Sequence, residues 1–434
     1  MTLRSFSAMC QLETFRRAES KSVLLMAAAG IGLRLIQLDA DLWEKHGWRQ
    51  ADMAMIASNF YQNGVDILHP QIDWAGDMPG YIGTEFPLVP FLTALLYLIF
   101  GEQLFLGRLV SIVFFAVSIP LFYLLVCRCF EYKTAAWALF FYVVSPLSIF
   151  YTRNLMPESA MLCFSVGALY FFSSWIDDNR SINYLLALLF TTLALLVKIP
   201  MALIGVPIAY LAIAKHGWSS FRQKDLWVFA FASITPSVLW YHHAFSLAAN
   251  NYPFHMFGEG LWIWDGGHQA LLRIRVYLKI LAQTVAFLLT PIGFLMAIAG
   301  AFASRGGGER SRLFEWWAVG LFLYLIVGLK GHHGHEYYQL AIVPVAAAFA
   351  GLSAIHISRR IAQTKSAYRR IYRIGFVSAL IALIFVPALG PSDDKVLLTT
   401  GDDAISGRKD LEGEDPRRLV NRRMGWEQPD NHIR

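Results

Sequence analysis

The sequence has few charged residues. Only 16% of its 434 residues are Asp, Glu, Lys or Arg, whereas a soluble domain has about 25%. Hydrophobic residues make up 56%, and they are gathered in apolar blocks of about 20 residues, each long enough to cross ~30 Å of hydrocarbon as a helix. This composition excludes an ordinary soluble domain and predicts an all-α integral membrane protein.

Cysteine is also scarce, with four residues in the chain. Cys10, Cys127 and Cys129 fall in segments that we assign to the cytoplasm and Cys163 falls in a span, so no extracytoplasmic disulfide is expected. No small-residue cleavage site follows the first apolar block, which we expect to remain as the first span. We find neither a convincing internal repeat nor a separate soluble catalytic domain.

The apolar blocks predict a polytopic bundle of about eleven transmembrane helices. The predicted spans are 22–38, 106–127, 134–151, 159–176, 182–197, 199–214, 226–247, 276–302, 313–329, 338–357 and 371–389. Lys and Arg concentrate in alternate loops, which places these loops and the N-terminus in the cytoplasm. The net charge of +6 therefore sets orientation and does not indicate a nucleic-acid partner.

Three regions follow from this topology. We expect a cytoplasmic arm over 1–21, a transmembrane domain over 22–389, and a short extracytoplasmic tail over 390–434. The first outer loop, 39–105, contains an amphipathic helix over 52–63 with Met53, Ile56 and Phe60 on one face. The apolar stretch 87–100 is short and begins with two prolines, so we interpret it as an interfacial helix. If it crossed the membrane, the sidedness of every later loop would be reversed.

Ionisable and aromatic residues collect in the predicted outer loops. Ionisable groups at membrane depth are costly to place and usually mark function. A carboxylate beside a hydroxyl acts as a general base, Arg and Lys bind phosphate, and aromatic rings cover a sugar or a lipid chain. A lipid-linked phosphosugar presents all three demands at a membrane surface. The candidates are Arg49, Asp52, Glu85, Arg153, Glu158, Lys198, His335, Glu336, Tyr337, Tyr338 and Gln339.

Most of these residues also have a structural interpretation. Asp52, Glu85 and Glu158 are each placed to complement a helix N-terminus. Arg153 and Lys198 are placed to snorkel to lipid headgroups. The histidines at 332, 333 and 335 resemble a metal cluster, but the glycines at 331 and 334 make the loop flexible and helical ligand spacing is lacking.

Several motifs resemble bacterial polyprenyl-phosphate-dependent glycosyltransferases of the GT-C superfamily, near the protein O-mannosyltransferases and the lipid A aminoarabinose transferase. They lie in the same order over about residues 20–360. They are Gly47-Trp48-Arg49-Gln50-Ala51-Asp52, Thr84-Glu85-Phe86-Pro87, Gly107-Arg108-Leu109, Ser145-Pro146 with Arg153 and Pro157-Glu158, and His335-Glu336-Tyr337-Tyr338-Gln339.

The resemblance implies a GT-C fold and an inverting transfer in which an acid of the first outer loop activates the acceptor. The better-known relatives have an adjacent Asp-Glu pair where this chain has Arg49-Gln50, so Asp52, one turn later, is the candidate base. Glu85 stands where lipid A-type relatives have a Lys, which leaves Arg49, Arg153, Lys198 and His335 as the available cations. Asp52, Glu85 and Glu158 together also suggest a possible divalent cation.

We therefore expect a glycosyltransferase of the bacterial cytoplasmic membrane with its active site facing the exterior. It would move a sugar from a polyprenyl-phosphate donor to a cell-envelope acceptor, which is lipopolysaccharide, another glycan or a protein. The main alternative is a flippase or transporter of lipid-linked sugars. Transporters usually place ionisable residues near the bilayer midplane, whereas these lie at one face. A non-catalytic scaffold is a third interpretation.

Overall fold

The computed structural model describes residues 19–40, 42, 46–73, 78–250, 273–305 and 308–388. Three predicted regions lie outside the described residues. They are the arm up to residue 18, most of the loop between the predicted spans 226–247 and 276–302, and the tail 390–434. The N-terminal arm is therefore described only from residue 19, where the first helix begins.

The described residues form sixteen α-helices in chain order. They are α1 (Glu19–Leu35), α2 (Gly47–Asn63), α3 (Leu88–Phe100), α4 (Leu104–Cys129), α5 (Tyr132–Val144), α6 (Pro146–Tyr151), α7 (Glu158–Asp178), α8 (Ser181–Val197), α9 (Gly205–His216), α10 (Lys224–Asn250), α11 (Ile274–Gln283), α12 (Thr290–Ser304), α13 (Arg312–Val327), α14 (Leu329–Gly334), α15 (Val343–Gln363) and α16 (Ser366–Ala388). Short 3-10 segments cover Ile199–Ile204, Gly217–Arg222 and Glu336–Ile342, and a π-helical turn covers Thr284–Leu288.

Four helical stretches among the described residues are long and apolar enough to cross a membrane, or five if a bent pair counts as one span. The protein is therefore a multi-pass membrane protein, and the number of about eleven spans remains a prediction. Several predicted spans are shorter or broken in the structure. The predicted span 134–151 divides at Ser145, the residue before Pro146. The Ser145 hydroxyl accepts a hydrogen bond from the Ser148 amide and so caps the second helix. The predicted span 276–302 bends by 101° between its two halves, just before Pro291.

Two helices lie in the segment that is predicted to form the first outer loop. Helix α2 begins at Gly47, five residues earlier than expected, and it buries Met53, Ile56 and Phe60 on one face. It ends at Gly64, whose φ of 103° is readily adopted by glycine. Helix α3 has 13 residues, or about 20 Å at 1.5 Å per residue, which is too short to cross a bilayer.

Both ends of α3 lie at the same end of the helical bundle. Phe86, just before α3, donates its amide to the carbonyl of Leu196 near the end of α8. Arg108, in the first turns of α4, donates to the carbonyls of Gln37 and Leu38, just beyond α1. The segments before and after α3 therefore meet the same end of the bundle, and α4 is long and apolar enough to cross a membrane.

The loops with concentrated Lys and Arg meet at the opposite end. Asp177, at the end of α7, pairs with Arg128 at 2.5 Å and with Arg310 at 3.0 Å. Glu131 pairs with Arg359 at 2.5 Å. These ion pairs hold the neighbouring ends of α4, α7 and α15 and the segment before α13 together at that end of the bundle.

Close helix packing holds the centre of the bundle together. A Cβ at Gly300 in α12 would lie 1.8 Å from the Phe349 carbonyl oxygen in α15, and a Cβ at Gly351 in α15 would lie 2.5 Å from the Ala138 nitrogen in α5. Small residues allow such approaches, which supply the van der Waals contact that holds helices together in lipid. Helix α15 is thereby fixed between α5 and α12, and this fixes the 3-10 segment that precedes it.

Candidate active site

Arg49 lies at the centre of the predicted acidic residues. It stands in the first turn of α2, is 4% exposed, and its Nη2 donates to Glu85 Oε2 at 2.5 Å. Burial by itself lowers the pKa of Arg49, but the charges around it, Glu85 foremost, raise it above its ordinary value. Glu158 and Asp52 act in the same direction, so all three predicted carboxylates lie within electrostatic range of one guanidinium.

The segment that carries Glu85 is fixed against two membrane helices. Trp240 in α10 donates its indole N–H to the Thr84 carbonyl at 3.1 Å, and its ring meets Phe86 edge to face at 5.0 Å. The Phe86 amide donates to Leu196 in α8 at 3.1 Å. These contacts on both sides of Glu85 hold its carboxylate toward Arg49.

Lys198 and Glu158 form a second buried ion pair. Lys198 follows the last residue of α8 in an extended conformation, and Glu158 is the first residue of α7. The Lys198 ammonium bonds to Glu158 Oε1 and lies 5.1 and 5.2 Å from the ring centroids of Tyr337 and Tyr338. The cation is thus enclosed by a carboxylate and two aromatic faces.

A third group joins the start of α2 to the 3-10 segment 336–342. His46 Nε2 lies 3.2 Å from Glu336 Oε2, and the Tyr151 hydroxyl donates to Glu336 Oε1 at 2.7 Å. His46 adopts φ 58°, the left-handed region that non-glycine residues rarely adopt. Its ring packs edge to face on Tyr337 and His335, with centroids 5.2 and 4.9 Å apart.

His335 is a half-buried ring beside His46. Burial, together with the neighbouring His46, lowers the pKa of His335 to about 4. The pKa of His332 falls to about 3, again because burial penalises the charged ring. Both values favour the neutral imidazole at pH 7, and contact of His335 with a substrate remains a prediction.

Two other predicted residues have described contacts outside this cluster. Arg153 donates to the Ile36 carbonyl at 2.9 Å and to Gln37 Oε1 at 3.1 Å, which ties the end of α1 to the segment between α6 and α7. Gln339 accepts from the Thr284 hydroxyl at 2.8 Å beside the π-helical turn. These contacts give both residues a structural role, and their contact with a substrate remains a prediction.

The carboxylates and imidazoles do not form a metal centre in the described part of the chain. No group of three or more His, Cys, Asp or Glu side chains there is arranged to hold a metal ion. Of the predicted set, Glu85 bonds to the Arg49 guanidinium and Glu158 bonds to the Lys198 ammonium, and the charge of Asp52 acts on Arg49. Two of the three acids are thus paired with cations of the protein chain.

Sequence reasoning singled out neither His46 nor Tyr151 as a site residue, although both stand close to motif residues. Gln50 was also missed; its Oε1 accepts from the Leu155 amide at 3.3 Å and so joins α2 to the segment before Glu158. The signal available for His46 and Tyr151 was their position directly beside the motif residues, since both partners of Glu336 lie within a few residues of Arg49 or Arg153.

The family model described as dolichyl-phosphate-mannose-protein mannosyltransferase matches residues 79–240, which is less than half of the chain but includes Glu85, Glu158 and Lys198. A search of curated protein sequences finds no match.

Solved structures share the fold at low sequence identity. ArnT from Cupriavidus metallidurans bound to undecaprenyl phosphate has a TM-score of 0.57 at 16% identity, over 86% of this chain and 72% of that one. The same protein in the apo state gives a TM-score of 0.58. The oligosaccharyltransferase of Archaeoglobus fulgidus gives 0.56 at 14% identity, and this chain spans 56% of its length. The chain therefore has the GT-C fold and resembles the glycosyltransferases of the protein mannosyltransferase and ArnT type.

Proposed function

We propose that the protein is a membrane glycosyltransferase that moves a sugar from a polyprenyl-phosphate donor to a cell-envelope acceptor. The observation that carries the proposal is the convergence of Asp52, Glu85 and Glu158 around Arg49, with Lys198 paired to Glu158, at one end of a GT-C bundle. The resemblance to a protein whose structure was solved with undecaprenyl phosphate supports a lipid-phosphate donor.

In this proposal Arg49 and Lys198 bind the donor phosphate. The phosphate gains negative charge as its bond to the sugar breaks, and positive groups held in a water-poor site stabilise that charge strongly. Tyr337 and Tyr338 line the site beside Lys198 and offer apolar faces to the sugar or to the first isoprene units.

Asp52 is the proposed general base. Glu85 and Glu158 each bond directly to a cation, which suits them to orient that cation, and the resemblance implies that an acid of the first outer loop activates the acceptor. Asp52 would take the proton of the acceptor hydroxyl while that oxygen attacks the anomeric carbon from the side opposite the phosphate, so the anomeric configuration inverts. Glu85 and Glu158 would orient Arg49 and Lys198.

The protein is proposed to lie in the cytoplasmic membrane of a bacterium with this site facing the exterior. Lipopolysaccharide, another envelope glycan and a protein remain the candidate acceptors. A flippase is the alternative, but the ionisable cluster gathers at one end of the bundle, whereas transporters usually place such groups near the midplane.

Donor consumption by the purified protein in lipid nanodiscs tests this function. A panel of polyprenyl-phosphate sugars is supplied together with envelope lipid or protein fractions, and release of polyprenyl phosphate is measured. We expect release with one donor, and a loss of about 100-fold or more in Asp52→Asn. Glu102→Gln, an exposed acid of the same loop, is the matched control and should leave turnover unchanged. Translocation of an intact donor across vesicles would support the flippase instead.

A further inference from the structure

The two cations of the site are already matched by carboxylates. Arg49 bonds to Glu85 and Lys198 bonds to Glu158, so an incoming phosphate meets positive charge that is partly neutralised. The departing phosphate makes a larger demand, since its charge rises from one negative unit to two when the bond to the sugar breaks. A group that delivers a proton at that moment would remove this demand.

His46 has the contacts of such a proton donor. Glu336 is 4% exposed and accepts the Tyr151 hydroxyl on one oxygen, while its other oxygen lies 3.2 Å from His46 Nε2. An ionised carboxylate only accepts hydrogen bonds, so Nε2 carries a proton toward Glu336 and Nδ1 is the nitrogen left for exchange. A carboxylate that orients a histidine and balances its positive charge is the arrangement used in enzyme acid–base catalysis.

His46 shares a neighbour with one of the proposed phosphate-binding groups. Its ring and the Lys198 ammonium both contact Tyr337, at 5.2 and 5.1 Å from the ring centroid. The charges of His46, Lys198 and Arg49 each lower the pKa of one side chain, His335, so all three lie within electrostatic range of that ring. The left-handed backbone at His46 is a cost that functional sites often carry.

We propose that His46, held by Glu336, donates a proton to the departing polyprenyl phosphate. This inference rests on the proposed function. The bond between the anomeric carbon and the phosphate oxygen breaks, and its electron pair goes to that oxygen. The proton moves from His46 Nδ1 to the phosphate. Polyprenyl phosphate leaves as a monoanion, and His46 remains as a neutral imidazole. Asp52 receives the acceptor proton in the same step, and exchange with solvent returns both groups to their starting states.

The titratable groups in contact with His46 come from three elements and from one residue between two elements. Tyr151 comes from α6, Glu336 and Tyr337 come from the 3-10 segment, His335 precedes that segment, and Arg49 on α2 donates its backbone amide to the His46 carbonyl. His335 is neutral above pH 5, because its pKa is about 4. The proposed donor pair of His46 and Glu336 is therefore the part of this group expected to make kcat depend on pH.

The pH dependence of kcat tests the proposal in three forms of the protein. If His46 donates the proton, kcat of the wild type should fall as pH rises, because the proposed step requires the protonated ring. His46→Gln should lower kcat about 100-fold or more, change the KM for donor less than about threefold, and abolish that alkaline fall. Glu336→Gln keeps a hydrogen-bonding side chain but removes the balancing charge, so the fall should move to lower pH. Thermal unfolding confirms that each variant is folded.

His69 supplies a matched control, since it is another histidine paired with a carboxylate, Asp66 at 2.6 Å, but outside the cluster. His69→Gln should retain the wild-type rate and profile. If His46→Gln and Glu336→Gln both retain the shape of the wild-type profile, His46 is not the donor, whatever their rates. A wild type that consumes no donor would overturn the proposed function, and the role of His46 with it. An active wild type whose two variants keep the wild-type pH profile would overturn only the role of His46.

Discussion

Lys198 and Glu158 form an ion pair in which the two side chains are only 7% and 0% exposed. They are separated by 40 residues of sequence and meet where α8 ends and α7 begins. Two charges removed from water stabilise each other only while both are present, and the loss of one partner leaves the other buried and uncompensated. This relationship makes stability and donor binding separable by mutation.

The first prediction concerns this pair. Lys198→Met should lower the free energy of unfolding by roughly 3 kcal/mol or more, because Glu158 remains buried without its cation. The double variant Lys198→Met with Glu158→Gln should recover most of this loss yet remain unable to bind donor. Thermal unfolding in nanodiscs and equilibrium binding of a polyprenyl-phosphate sugar measure the two effects. Full donor binding by the double variant would remove Lys198 from the phosphate site.

Arg49 supports a second prediction. Arg49→Gln should raise the KM for donor at least tenfold, which corresponds to about 1.4 kcal/mol of lost binding. Arg49→Lys keeps the charge but not the planar fork that fits a carboxylate or phosphate. Its KM for donor should therefore lie between that of the wild type and that of Arg49→Gln. Because the neighbouring charges raise the pKa of Arg49, its contribution should not vary between pH 5 and 9. An unchanged KM in Arg49→Gln would contradict the assignment.

The third prediction concerns stability at low pH. The pKa of His332 is about 3 in the folded protein, and an unfolded histidine titrates near 6.5. Below pH 6.5 the unfolded chain therefore binds a proton that the folded chain does not. The contribution of His332 should lower the free energy of unfolding as pH falls toward 3, by up to about 1.4 kcal/mol per pH unit. Above about pH 6.5 His332 should make the free energy of unfolding no more dependent on pH.

Thermal unfolding of wild type and His332→Phe between pH 7.5 and 4.5 measures this contribution. The variant should show a shallower decline, because its side chain cannot take up a proton. The exposed His356 provides the comparison, since His356→Gln should keep the wild-type slope. Equal slopes in all three proteins would show that burial of His332 does not couple folding to pH.

Orientation gives a fourth prediction. Leu68, 51% exposed in the first outer loop, and Trp218, 82% exposed in the 3-10 segment after α9, belong to loops predicted to lie on opposite sides of the membrane. With the four native cysteines replaced, Leu68→Cys should react with an impermeant maleimide in whole cells, and Trp218→Cys should react only after permeabilisation. The reverse pattern would place the site in the cytoplasm and contradict the proposed sidedness.

The sequence alone determined the class of the protein and the grouping of its candidate site. Apolar blocks and the distribution of Lys and Arg are local properties of the chain, and they indicated a membrane protein whose ionisable residues collect at one end. The loop helix that buries Met53, Ile56 and Phe60 was also predictable, because a helical period is visible in the residues themselves.

Tertiary structure decided which charges meet and which side chains stay neutral. Arg49 and Glu85 are 36 residues apart and His46 and Glu336 are 290 apart, and no local pattern relates such positions. The neutrality of His335 depends on burial by elements from distant parts of the chain. The breaks at Ser145 and Leu289 likewise depend on how each half of a helix packs. Hydropathy is a property of the local sequence, whereas an ion pair or a buried ring exists only after the chain has folded.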